Sequence, residues 1–157
     1  MSVNCFTDGS ASKNGIRNAV GGYACHFPEH KNLNIEKVVT SNVTNNRCEY
    51  MAVIDAIRIF NSIEEFKDKK LIIYSDSQLL INTVQIWMHD WKKNGWTRKS
   101  NKPLENLDLV KELYELCKDN ERLELVKVSA HEKDDSYNTR MNNIVDEMSR
   151  CYKKKSM

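Results

Sequence analysis

The chain has 157 residues, 24 Lys plus Arg and 22 Asp plus Glu, giving a formal net charge of +2. With 40% hydrophobic and 29% charged residues it has a globular rather than a disordered composition. A strongly polycationic protein and an acidic-tail protein are both excluded, and no apolar run approaches the roughly 20 residues that cross a bilayer. The start, MSVNCFTDGS, lacks the basic-then-apolar layout of a secretory signal, so an intracellular protein with no membrane partner is expected. Cys5, Cys25, Cys48, Cys117 and Cys151 are odd in number and widely spread, which predicts reduced, mostly buried thiols.

In chain order, residues 2–8 alternate and run into a glycine turn, predicting a strand that ends at Asp8. Residues 20–28 and 33–40 read as two more strands, closed by the polar cluster from Pro28 to Asn32. Residues 46–60 switch to helical periodicity behind Thr44 and Asn45, both good N-cap residues. LIIYSD (71–76) has the short apolar run of a buried central strand, and the following helix repeats Leu80, Val84 and Trp87 on one face. Residues 107–117 predict a helix with Leu107, Val110, Leu113, Tyr114 and Cys117 inward, 123–130 a last strand, and 139–152 a last helix with Met141, Ile144, Val145 and Met148 inward. Three strands in a row followed by strand–helix alternation describe an α/β domain with a mixed sheet and helices on its faces, one domain over 1–157.

Four acids stand out by position: Asp8 and Asp76 at strand ends, Glu49 in the first turn of the first helix, and Asp146 inside the last helix. Strand ends of an open α/β sheet are where ligand crevices form. Carboxylates converging there without basic partners would repel one another unless a hard divalent cation sat among them, Mg²⁺ above all. Taken singly, each acid has a plainer explanation: Asp8 a turn before Gly9, Asp76 a helix cap, Glu49 a partner for the helix dipole. The joint pattern carries the functional expectation.

The ordered segments Thr7-Asp8-Gly9-Ser10, Thr44-Asn45-Asn46-Arg47-Cys48-Glu49, Tyr74-Ser75-Asp76-Ser77-Gln78, and His131 with Asn142 and Asp146 resemble type 1 ribonuclease H over essentially the whole chain. The resemblance implies a five-stranded ribonuclease H-like sheet, with the first three strands antiparallel and the rest parallel. It also implies endonucleolytic cleavage of the RNA strand of an RNA–DNA hybrid, without sequence specificity, leaving 5′-phosphate and 3′-hydroxyl ends. By position, Asp8, Glu49, Asp76 and Asp146 become ligands of two Mg²⁺ ions, replaceable by Mn²⁺, with Asp8 bridging them. His131 becomes a loop residue assisting proton transfer or product departure. Two departures accompany it: Ala130 stands where the family usually has Gly, and Glu132 to Arg140 is long and charged, with Asp134 and Asp135 as rival carboxylates.

The same resemblance assigns substrate contacts. Asn14, Asn45, Asn46 and Gln78 match positions facing sugars and bases, where a 2′-hydroxyl is sensed. Thr44 and Asn106 match a pocket for a DNA phosphate, in which Asn42 stands where Arg is usual. Trp87 to about residue 105 resembles the family's basic handle, with Trp87, Trp91, Lys92 and Lys93 as substrate contacts and Trp96 expected to pack the handle. Asp90 to Lys102 carries a local +4, and Arg150 with Lys153, Lys154 and Lys155 another +4, so the remainder is −6. The chain begins immediately before the first strand, so the separate hybrid-binding domain of many eukaryotic members is expected to be absent, and a monomer is expected.

Overall fold

The computed structural model describes residues 1–12, 18–98, 103–129 and 136–155. Asn14, His131, Asp134 and Asp135 lie outside the described residues. Five strands form one sheet in the order β3-β2-β1-β4-β5: β1 Ser2–Ser12, β2 Val20–His26, β3 Ile35–Val39, β4 Lys70–Ser75 and β5 Leu123–Lys127. The first three pair antiparallel, while β1–β4 and β4–β5 pair parallel, as expected.

β1 runs four residues past the predicted end. Asp8 is therefore not a strand terminus but a mid-strand residue, paired with Ala24. The reason is that Gly9 to Ser12 keep a full antiparallel ladder with β2 although they bury little apolar surface. On its other side, β1 stops pairing with β4 at Phe6 and Tyr74, and that one-sided end opens the crevice.

α1 (Asn45–Ser62) starts at Thr44, whose side chain accepts from the Arg47 amide at 3.0 Å. It lays Ala52, Val53, Ala56, Ile57 and Phe60 on one face of the sheet, over Cys5, Leu71 and Ile73. Each large side chain so buried stabilises the fold by about 1.5–3 kcal/mol. α2 (Gln78–Asn82) and α3 (Met88–Lys93) are joined by a π-helical turn, Thr83–Trp87, and α4 (Leu107–Cys117) adds Val110 and Leu113 to this core. The π turn leaves Leu80, Val84 and Met88 buried and Trp87 37% exposed.

α5 (Tyr137–Ser149) covers the opposite face, where Phe6, Ala24, Val128 and Val145 form a second cluster with Met141 and Met148 at its margin. Ile144 was expected inward but is 41% exposed, because Val145 takes the inward position beside it. A Cβ on Gly22 would lie 2.4 Å from the Ser149 carbonyl oxygen, so this glycine lets the end of α5 touch the backbone of β2. α6 (Tyr152–Lys155) follows a turn at Arg150 and Cys151. All five cysteines are free thiols; four are buried and Cys117 is half-buried.

Candidate active site

Asp8 and Asp76 each lie two residues beyond the last parallel pair, Phe6 with Tyr74, so the two carboxylates stand side by side where the strands part. Glu49 comes from the first turn of α1, which sits directly on Gly9: a Cβ there would be 2.5 Å from the Cys48 carbonyl carbon and the Glu49 nitrogen. The Gly9 amide donates to Asp8 Oδ1 at 2.9 Å and also to Glu49 Oε1. Carboxylate oxygens of Asp8, Glu49 and Asp76 lie within 4.8 Å of one another. Asp146 borders this trio, within side-chain hydrogen-bonding reach of Asp8, and pairs on its outer side with Arg150 at 3.2 Å.

The trio is electrostatically uncomfortable. Burial, and next the charge of Glu49, push the Asp8 carboxyl from 3.8 to about 11. Burial is also the main cause raising Glu49 from 4.5 to about 7, with Asp76 adding to it, while hydrogen bonds from Asp8, Gly9 and Ser77 pull the other way. Among the described residues no Lys or Arg pairs with Asp8, Glu49 or Asp76. Hard oxygen donors, two of them buried and the third half-buried, mutually repelling and without a basic partner among the described residues, fit a divalent cation.

Neighbouring residues hold these acids in place. Asn142 on α5 is 2% exposed and donates Nδ2 to Asp76 Oδ2 at 3.3 Å, while its Oδ1 has no hydrogen-bond partner. Ser77 caps α2 by accepting from the Leu80 amide at 3.1 Å and reaches Glu49, so it links two of the acids' elements. Its part was not anticipated, although a Ser directly after an acid at a strand-to-helix junction is a signal for such a cap.

The expected substrate residues divide into three groups. Thr44 and Asn45 frame the start of α1, with Asn45 Oδ1 accepting from the Ala11 amide at 2.7 Å. Asn106 adopts a left-handed conformation (φ 60°) before α4, and Arg47 binds its Oδ1 at 3.4 Å while clamping Asp108 through two bonds of 2.9 and 2.8 Å. Asn42, also left-handed (φ 51°), is exposed nearby in sequence. Gln78 is exposed and bonds Asn82 on its own helix at 2.9 Å, so it is not held toward the acids.

On the handle, Trp87 and Trp91 lie 6.1 Å apart at a 38° tilt, and Lys92 and Lys93 are exposed at the end of α3. Trp96 packs edge-on against Tyr114 at 5.4 Å, as expected of a handle anchor. Between the handle and α1 lies a cavity of about 350 Å³, lined by Asn46, Trp87, Trp91 and Asn106 among others. It brings together residues from the start of α1, the handle and the segment before α4.

Comparison with known proteins fits this architecture. The RNase H family model matches residues 1–151. A ribonuclease H from Clostridium botulinum (strain Hall) is 35% identical over 148 residues, covering 90% of this chain and 91% of its own. Among solved structures, the PFV RNase H domain superposes with a TM-score of 0.70 at 20% identity, covering 94% of this chain and 91% of that one. A foamy viral protease-reverse transcriptase in complex with an RNA/DNA hybrid gives 0.73 at 20% identity over 94% of this chain and 19% of that one, and at such identity the likeness speaks for the fold. Sequence family, relative and acid cluster agree, and the chain belongs to the RNase H family.

Proposed function

We propose that this protein is a type 1 ribonuclease H that hydrolyses the RNA strand of RNA–DNA hybrids without sequence specificity, leaving 5′-phosphate and 3′-hydroxyl ends. The observation that carries this reading is the convergence of Asp8, Glu49 and Asp76 within 4.8 Å, with Asp146 at their edge, beside an aromatic and basic arm. Asp8, Glu49, Asp76 and Asp146 would hold two Mg²⁺ ions, with Mn²⁺ able to replace them. When bound, such ions activate an attacking water and stabilise the leaving oxygen in phosphodiester cleavage.

The chain's own residues do the rest. Asp8 sits centrally, touching both Glu49 and Asp146, which suits it to serve both ions. Asn142 fixes the Asp76 carboxylate, and the Gly9 amide orients Asp8 and Glu49 together. His131, ahead of α5 in the chain, moves a proton at the scissile phosphate or speeds product departure. Asn14, Asn45, Asn46 and Gln78 face the minor groove, while Thr44 and Asn106 take a DNA phosphate. Trp87 and Trp91 meet the DNA sugars, and Lys92 and Lys93 add charge that is blind to sequence. The protein acts as a monomer inside the cell; its free thiols agree with a reducing compartment, and among the described residues no helix is long and apolar enough to cross a membrane.

The test is cleavage of a labelled uniform hybrid beside double-stranded RNA and duplex DNA, with Mg²⁺ and with chelator. Mg²⁺-dependent cutting of the RNA strand in the hybrid alone, lost in Asp8→Asn, is the expected result. Cutting by purified Asp8→Asn at the wild-type rate, or preference for duplex DNA, would remove the proposal.

A further inference from the structure

Among the described residues, Arg150 is the basic side chain that forms an ion pair with one of the four acids: its guanidinium lies 3.2 Å from Asp146 Oδ2, one helical turn away. The fold fixes where that guanidinium stands. Ser149, just before it, is fully buried, donates its hydroxyl to the Asp146 carbonyl at 2.7 Å and sets its own carbonyl against Gly22 of β2. Two residues later the buried Tyr152 meets Ser10 Oγ of β1 through its hydroxyl at 3.1 Å. Arg150 is thus held between two anchors, one on the strand that carries Asp8 and one on that strand's neighbour.

Asp146 is therefore shared, reaching Asp8 on its inner side and Arg150 on its outer side. A divalent cation held by Asp146 would share that carboxylate with the guanidinium, and two positive charges on one carboxylate repel. Without the guanidinium Asp146 keeps its place, because Val145 beside it is fully buried and its contact with Asp8 does not involve Arg150. Loss of the repulsion therefore outweighs any loss of order.

We propose that Arg150 is a built-in rival to the metal, weakening divalent-cation binding at Asp146 and, in the metal-free protein, sparing the cluster a fourth uncompensated charge. The inference rests on the reading that Asp8, Glu49, Asp76 and Asp146 hold divalent ions. Arg150 acts through Asp146 and is a positioning residue.

The experiment is Mn²⁺ binding to substrate-free protein, read from the EPR signal of the free ion. Arg150→Gln, which removes the charge, is expected to bind Mn²⁺ about three- to tenfold more tightly at the site that Asp146 serves. Arg150→Lys, which keeps the charge, should stay near wild type. In an Asp146→Asn background Arg150→Gln should change nothing, and in the wild-type background its advantage should shrink as salt rises from about 0.02 to about 0.5 M, which screens the repulsion. The Arg150 side chain is 43% exposed, so these variants keep the fold, and the metal-free Tm checks it. A merely structural ion pair would lower that Tm in Arg150→Gln and leave Mn²⁺ affinity where it was; that result, weaker Mn²⁺ binding by Arg150→Gln, or an advantage undiminished in Asp146→Asn overturns the inference and leaves hybrid cleavage standing. Failure of the wild type to bind Mn²⁺ at all would overturn the underlying reading.

Discussion

Asn142 and Asp76 meet across the sheet, a helix-borne amide donating to a strand-end carboxylate at 3.3 Å from 66 positions away in sequence. The bond fixes which way Asp76 presents its oxygens. Asn142→Ala is accordingly expected to lower kcat about tenfold with little change in KM, the pattern of a lost transition-state interaction. Asn142→Asp, which places a like charge against Asp76, should be worse than Ala. Steady-state kinetics at saturating Mg²⁺ on both variants decide this; wild-type kcat in Asn142→Ala would show that Asp76 needs no such support.

Gly9 tolerates no side chain. The atoms a Cβ would strike at 2.5 Å belong to the α1 backbone, which cannot swing aside as a flexible side chain could. Gly9→Ala should cost about 1–3 kcal/mol of stability and also displace Glu49, so both the urea midpoint and the activity should fall. A variant that keeps full activity with an unchanged midpoint would mean that α1 can move off β1 freely.

The raised acids tie stability to pH in a defined direction. Glu49 moves from 4.5 to about 7 and Asp8 from 3.8 to about 11, so over these windows the folded protein holds protons that the unfolded chain has released. Stability of the metal-free protein should therefore fall as pH rises from about 4.5 through 7, and the Asp8 contribution should extend the decline further. Mg²⁺ should raise Tm more at pH 8 than at pH 5, and Asp8→Asn should flatten the metal-free slope. Calorimetric Tm against pH, with Mg²⁺ and with chelator, supplies the readout; a metal-free Tm that climbs over this range would refute the assignment.

Arg47 and Asp108 give the opposite sign. The guanidinium hydrogen bonds hold the Asp108 carboxyl below its usual value, so its contribution is present above about pH 4 and is lost as pH falls through the lowered value. The Arg47 side chain is 17% exposed and that of Asp108 63% exposed, and solvent screening limits the pair to about 1 kcal/mol. Asp108→Asn should destabilise by no more than that at neutral pH, and by nothing measurable in strong acid. Because Arg47 also holds Asn106, the same change should weaken hybrid binding; equal affinity in the variant would separate the ion pair from substrate contact.

Much of this site was legible in sequence where local chemistry and position coincide. Thr44 is read as a cap because a hydroxyl ahead of a helical repeat has one obvious use, and LIIYSD is read as a central strand because the unbroken apolar run Leu71-Ile72-Ile73-Tyr74 needs burial on both faces. Asp8 was misplaced as a terminus since hydrophobic alternation stops there, while the β2 ladder that continues the strand is a long-range backbone matter. The Asn142 contact was invisible for a similar reason: helical spacing links Asn142 to Asp146 but gives no hint of Asp76 on the sheet. Ile144 and Val145 are adjacent and similar, so periodicity places both inward, whereas the packing of α5 turns only Val145 in.

The π turn at Thr83–Trp87 acts as a phase shifter between the part of the helix seated on the sheet and the part that carries the arm. Deleting one residue from it would restore the ordinary repeat and rotate the rest of that helix, α3 and the arm it carries, by about 100°. Trp91 would swing off the cavity while the four acids, which lie outside the rotated segment, kept their places. Grip and chemistry in this fold are thus separable by a change of length, in a way that no single side-chain replacement achieves.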